Sequence, residues 1–100
     1  MPVEIDIDEK SVTAYISGEI DHHNAAGLRS KIDEAVENAY PEVLVLDFGG
    51  INYISSAGLR VLLGAQKKMN AQGSMELINV NDDVMDILEM TGFADILVIK

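Results

Sequence analysis

One hundred residues, no cysteine and a formal net charge of −10 describe one small acidic domain. The missing thiols exclude disulfides, thiolate catalysis and Cys-based zinc sites, and fit a reducing compartment. The charge repels nucleic-acid phosphates and anionic lipid, so direct nucleic-acid or membrane binding is not expected. A partner with a basic face is favoured, unless the acidity serves solubility alone.

The chain opens MPVEIDIDEK, which lacks the basic region, apolar stretch and small-residue cleavage site of a signal peptide. No apolar run approaches the roughly 20 residues that cross a bilayer, and the expected location is cytoplasmic. Val3 to Ile7 alternates apolar and acidic residues, the period of a half-buried strand. Asp8-Glu9-Lys10 is a polar turn. Ser11 to Ser17 alternates again, with Val12, Ala14 and Ile16 on one face, which makes a hairpin ended by Gly18. From Asn24 the period turns helical: Leu28, Ile32, Ala35, Val36 and Ala39 recur on one side, and Arg29, Lys31, Asp33, Glu34 and Glu37 face water. Asn24 or His23 would cap this helix, and Pro41 marks its end.

Val43 to Phe48 is a short apolar run broken only by Asp47, and it reads as a strand buried on both faces. Gly49-Gly50 then makes a tight turn and INYI a loop. A second helix starts at Ser56 or Ala57, with Leu59, Leu62, Leu63, Gln66 and Met69 on or near one face and Arg60, Lys67 and Lys68 outside it. Gly73 is its stop signal. Met75 to Val80 is another strand. Asn81-Asp82-Asp83 caps a short helix with Val84, Ile87, Leu88 and Met90 inward, ended by Thr91-Gly92. Ala94 to Ile99 is a last strand. The order β-β-α-β-α-β-α-β predicts an α/β fold: a mixed, mainly parallel sheet of about five strands, with helices packed largely on one face.

The chemistry concentrates in NYISSAGLRVLL, Asn52 to Leu63, where two adjacent serines and a glycine precede an apolar run. A helix cap, a catalytic nucleophile and a modification site compete. A nucleophile elbow needs G-x-S-x-G, and YISSAG lacks the first glycine. The only imidazoles, His22 and His23, are neighbours ahead of a helix, so at most one can face Ser56. Exposed loop residues is their simpler reading. No third histidine or cysteine completes a metal set, and neither a P-loop nor G-x-G-x-x-G is present. No enzyme activity, cofactor or metal is therefore expected. A cap explains one serine, worth about 1 kcal/mol, but not two followed by Ala57-Gly58. A phosphate on a hydroxyl here adds a charge of about −1.5 to −2. A helix N-terminus tolerates that charge, whereas an interface centred on it does not.

SGEIDHHNAAGLRSKI (Ser17 to Ile32) and VLVLDFGGINYISSAGLRVLLGAQKKM (Val43 to Met69) together resemble the anti-sigma factor antagonists, small bacterial STAS-domain proteins. The likeness lies in a G-E-L/I-D turn before the first helix, a strand ending in Asp, and (D/S)-S-(S/A)-G-L opening the second helix. It spans nearly the whole chain in order and spacing, and GEIDHHNA is similar to the sporulation-type branch.

The resemblance implies a single STAS domain over residues 1–100 that works as a partner switch. Such proteins bind an anti-sigma factor that is also a serine kinase, and binding releases the sigma factor. The kinase then phosphorylates the antagonist and ends the complex, and a serine phosphatase restores it. The motif carries the acceptor to Ser56, with Ser55 as second choice, and carries partner contact to Asp21, Asn24, Ser55, Ser56, Ala57, Gly58 and Leu59. Gly18 and Glu19 flank that surface. Sporulation-type members have Asp where Ser55 stands, and a typical chain continues into a C-terminal helix, whereas the sequence here stops at Lys100. The alternatives are a STAS partner-switch module in a stress or phosphatase-regulating circuit without a sigma factor, and a purely structural subunit.

Overall fold

A computed structural model describes residues 2–100. Strand β1 (Val3–Asp8) and strand β2 (Ser11–Ile20) form the expected antiparallel hairpin. Helix α1 (Ala25–Ala39) leads to strand β3 (Val43–Ile54), helix α2 (Ser56–Asn70), strand β4 (Ser74–Ile78), helix α3 (Asp82–Met90) and the two-residue strand β5 (Val98–Ile99). The five strands stand in the sheet in chain order, and every pair after the hairpin is parallel.

That order dictates the layering. Each parallel connection steps to the next strand in the same direction, and right-handed crossovers then place their helices on the same side. The alternation along the strands agrees. Val12, Ala14 and Ile16 of β2, Leu44, Leu46 and Phe48 of β3, and Met75 and Leu77 of β4 are buried and meet Leu28, Ile32, Leu62, Met69, Val84 and Leu88 of the helices in one core. On the other face, Asp6, Thr13, Val45, Glu76 and Val98 share one row and Glu4, Tyr15, Asp47 and Ile78 the next, all half-buried or exposed. The apolar run of β3 is thus buried on one face and not two, because no helix crosses to the other side.

Two long elements differ from the sequence expectation. β2 does not stop at Gly18; the glycine takes a φ of 93° and the strand runs on to Ile20. Nor does β3 break at Gly49-Gly50, and INYI is its last segment rather than a loop. Opposite β2, β3 carries one extra residue between Asp47 and Gly50 and another between Ile51 and Tyr53. Such bulges bend and twist the strand without ending it. Gly50 is needed there, because a Cβ would lie 2.6 Å from that of Ser17.

Smaller corrections lie at the C-terminal end of the chain. Ala94 to Ile99 is not one strand: Phe93–Asp95 form a 3-10 turn that lets Leu97 reach the core, and only Val98 and Ile99 pair with β4. Met90 is 86 % exposed, since two residues past Leu88 lies about 200° round the helix. β4 ends at Ile78, where Asn79 turns the chain with a φ of 58°. Gly73 has no left-handed conformation; its missing side chain instead admits the Glu42 carbonyl, which accepts a 2.9 Å hydrogen bond from the Ser74 N–H. Lys68 ties α2 to α1 through Glu37 (2.8 Å) and Asp33 (3.5 Å), and the Glu37 bond holds the ammonium above the usual lysine range.

The two kinds of glycine predict opposite effects. Gly73→Ala collides with backbone and is expected to lose about 1–3 kcal/mol in urea unfolding. Gly27→Ala, on the open side of α1 with no atom within 4 Å of its Cβ, is expected to gain about 0.5–1 kcal/mol. Equal effects at both positions would contradict the close approach of Gly73 to Glu42.

Candidate functional site

The parallel pairing of β2 and β3 brings two turns together at the carboxyl ends of the strands, where loops of α/β sheets carry function. Ile20 stands opposite Ile54, and the Ser55 N–H donates to the Ile20 carbonyl at 2.8 Å. Asp21 and Ser55 are therefore joined through one backbone bond, although 34 positions separate them in the chain.

The first turn is built by Asp21 and Asn24. The Oδ1 of Asp21 accepts from the His23 N–H at 2.9 Å and the Asn24 N–H at 3.3 Å. The Asp21 carbonyl accepts from the Ala25 N–H at 2.9 Å and opens α1. Asn24 stands at the N-cap position, as one reading of the sequence expected, but its side chain does not cap the helix. Its Oδ1 accepts from the Asp21 N–H at 3.0 Å and its Nδ2 donates to the Glu19 carbonyl at 2.7 Å. The pair closes the turn on itself and fixes the half-buried Asp21 beside the second turn. His22 and His23 are exposed, with ring centroids 4.0 Å apart.

The second turn separates the two serines. Ser55 has extended backbone, with φ −91° and ψ 175°, and its Oγ accepts from the Gly58 N–H at 3.4 Å. It is the N-cap. Ser56 is the first helical residue of α2 and is exposed. Ala57 is half-buried, while Gly58 and Leu59 are buried. A Cβ on Gly58 would lie 2.6 Å from Ile54 Cγ1 and 2.7 Å from Ile20 Cγ2. The small residue therefore seats the helix on the ends of both strands, and Gly58 and Leu59 lie beneath the surface that Ser56 presents.

The electrostatics are set by the helix. The first turn of α2 carries no acidic residue, and Lys67 and Lys68 sit in its last turn. By contrast, Asp82 and Asp83 occupy the first turn of α3. The positive end of the α2 dipole, with its free N–H groups, is left without a carboxylate from its own first turn and favours an anion. Among the described residues no group of three His, Cys, Asp or Glu side chains could hold a metal, and no helix is long and apolar enough to cross a membrane.

Sequence reasoning missed Tyr53 beside this site, and it missed the second bond made by Asn81, whose capping of α3 it did expect. Tyr53 is 46 % exposed and stands opposite Glu19 in the strand register. Asn81 caps α3 by accepting from the Val84 N–H at 2.8 Å, and its Nδ2 donates to the Ile51 carbonyl at 2.8 Å, pinning α3 to the far end of β3. The signal for the first is the spacing Ile51, Ile54, which skips two residues where regular alternation skips one.

Comparison with known proteins agrees with this architecture. Residues 3–100 match the STAS domain family. An anti-sigma F factor antagonist of Paenibacillus polymyxa is 32% identical over 98 residues, covering 97% of this chain and 84% of that protein. The solved structure of the anti-sigma factor antagonist SpoIIAA in its unphosphorylated form superposes with a TM-score of 0.84 at 21% identity, covering 99% of this chain and 88% of that one. The Bacillus cell fate determinant SpoIIAA in its phosphorylated form gives 0.75 at 20% identity, covering 99% and 91%. With its family match over residues 3–100 and its five-stranded mixed sheet, the chain belongs to the STAS domain family.

Proposed function

We propose that this protein is an anti-sigma factor antagonist whose partner binding is switched by phosphorylation of Ser56. In its unmodified state it binds an anti-sigma factor that is also a serine kinase, and a sigma factor is released. The kinase transfers a phosphate from ATP to Ser56 and the complex ends, and a serine phosphatase resets it. The protein acts as a regulator and as a kinase substrate, not as an enzyme, and it works in the cytoplasm.

The observation that carries this reading is the division of labour between the two serines. The Ser55 hydroxyl is engaged in the cap, whereas Ser56 is exposed on the first turn of a helix with no acid there. A dianionic phosphate at Ser56 meets free N–H groups and the positive end of the dipole, so the domain stays folded. A partner packed on the same spot would have to bury that charge, which costs far more than the contact returns. Ser55 is the weaker acceptor, because it is half-buried and its hydroxyl is already engaged with the Gly58 N–H, whereas Ser56 is exposed. The surface offered to the partner is Ser56, the accessible edges of Ser55 and Ala57, and the turn of Asp21 and Asn24, with Gly58 and Leu59 supporting it from below. The Paenibacillus relative is an anti-sigma F factor antagonist and SpoIIAA has been solved phosphorylated, which supports this circuit over a partner switch without a sigma factor.

The cap and the acceptor separate experimentally. Ser55→Ala is expected to lose about 1 kcal/mol of stability in urea unfolding and Ser55→Asp to retain it, while Ser56→Ala is close to neutral. With the cognate kinase and ATP, intact-mass measurement is expected to find one added phosphate on the wild type and on Ser55→Asp, and none on Ser56→Ala. A phosphate that persists in Ser56→Ala moves the acceptor elsewhere.

Association tests the switch itself. Pull-down with the wild type is expected to recover the anti-sigma factor, and Ser56→Asp to lose it, with both variants giving the same circular dichroism spectrum. Equal recovery by both proteins would rule against control through this position.

A further inference from the structure

We propose a second docking surface, on the outer edge of β1, that takes an extended segment of a partner protein in which apolar residues alternate with basic ones. One end of it adjoins the turn of His23 and Asn24, but it does not use Ser56, and it stands or falls separately from phosphorylation there.

Among the described residues β1 is an edge strand, paired only with β2. Its six residues leave alternate N–H and carbonyl groups on the outer side without a strand partner, a template for strand addition. Its two faces differ sharply. Val3, Ile5 and Ile7 point to the helix side, but α1 does not cover them fully: Val3 and Ile5 are half-buried and Ile7 is 56 % exposed. Between this row and α1 run two adjoining grooves that share Lys31. One, of about 310 Å³, is lined by Ile5, Ile7 and Ala35 with Glu34 and Asn38; the other, of about 320 Å³, by Val3, Gly27 and Leu28 with His23 and Asn24. Gly27 has open space where a side chain would stand, which widens the second groove. On the opposite face Glu4, Asp6 and Asp8 are all exposed, and none of the ion pairs among the described residues involves them.

These features select the occupant. A strand added to β1 continues the sheet, so its side chains alternate between the two faces. Those on the helix side enter an apolar groove. Those on the other side stand next to Glu4, Asp6 and Asp8, where Lys or Arg gains and Asp or Glu is repelled. A second copy of this chain is disfavoured for that reason, since its own β1 would set three carboxylates against three. The acidic row thus protects the edge against self-association and leaves the apolar groove open to a basic strand.

The test uses the whole protein, labelled with ¹⁵N, and a synthetic peptide of alternating Val and Lys. Two control peptides have the same sequence content: one with the valines and lysines in separate blocks, and one alternating but N-methylated at every residue, so that neither edge can donate. The alternating peptide is expected to give saturable shift changes confined to residues 3–8 and to the side of α1 that faces β1, from Gly27 to Asn38. Both controls are expected to bind about tenfold more weakly or worse. Asp6→Lys, exposed and on the outer face, is expected to weaken the alternating peptide by a similar factor without altering the fold. The proposal is overturned if all three peptides bind alike, which is charge adhesion alone, or if β1 shows no saturable change up to about 1 mM peptide. Dimerisation of the free protein through β1 would overturn it equally.

Discussion

The parallel pairing of β2 with β3 is the constraint on which the rest of the molecule depends. It runs from Ser11 opposite Val43 to Ile20 opposite Ile54, and β3 spends two extra residues in bulges to keep it. Without those bulges Ile54 would not reach Ile20, and the Ser55 N–H would not find the Ile20 carbonyl. Gly50 and Gly58 follow from the same pairing, one letting β3 approach Ser17 and the other letting α2 settle on Ile20 and Ile54. The site is therefore held by regular secondary structure, with each short turn anchored at a strand end. A backbone fixed in this way would lose little entropy on forming the proposed complex.

At that surface, charge acts in two opposite senses. The protein as a whole is strongly acidic, yet the start of α2 lacks a carboxylate in its first turn. The local field invites one anion where the global field repels many. The choice of Ser over Asp at position 55 belongs to this balance. Either residue caps the helix, but an aspartate would place a full negative charge next to Ser56. In the proposed switch, the neutral cap would leave more of the helix dipole for a phosphate on Ser56.

Much of this was legible in the sequence, for physical reasons that can be named. Helices α1 and α2 announce themselves through the spacing of Leu28, Ile32 and Val36 and of Leu59, Leu62 and Met69, all of which are buried. The hairpin, the element order and the single helical layer follow from alternation and from crossover handedness. The later half of β3 was not legible. Gly49-Gly50 has the composition of a turn, and the bulges replace alternation by a spacing of three between Phe48, Ile51 and Ile54. Periodicity rules have no template for a strand that gains residues against its neighbour. At the site, sequence spacing pointed to both serines but could not assign them; only the backbone of Ser55 shows which hydroxyl is engaged as the cap. The sequence likewise offers Asn24 or His23 as the cap of α1; Asn24 takes that position, but its amide bonds within its own turn.

The chain-order arrangement of the sheet bears on how the protein is made. No later strand has to insert between two earlier ones, so each element leaving the ribosome finds its neighbour already present. The β1–β2 hairpin can form first, β3 can dock once α1 has emerged, and β4 follows on the far side. Growth in one direction keeps the active edge of the sheet at the most recently synthesised strand and spares the nascent chain a search through alternative pairings.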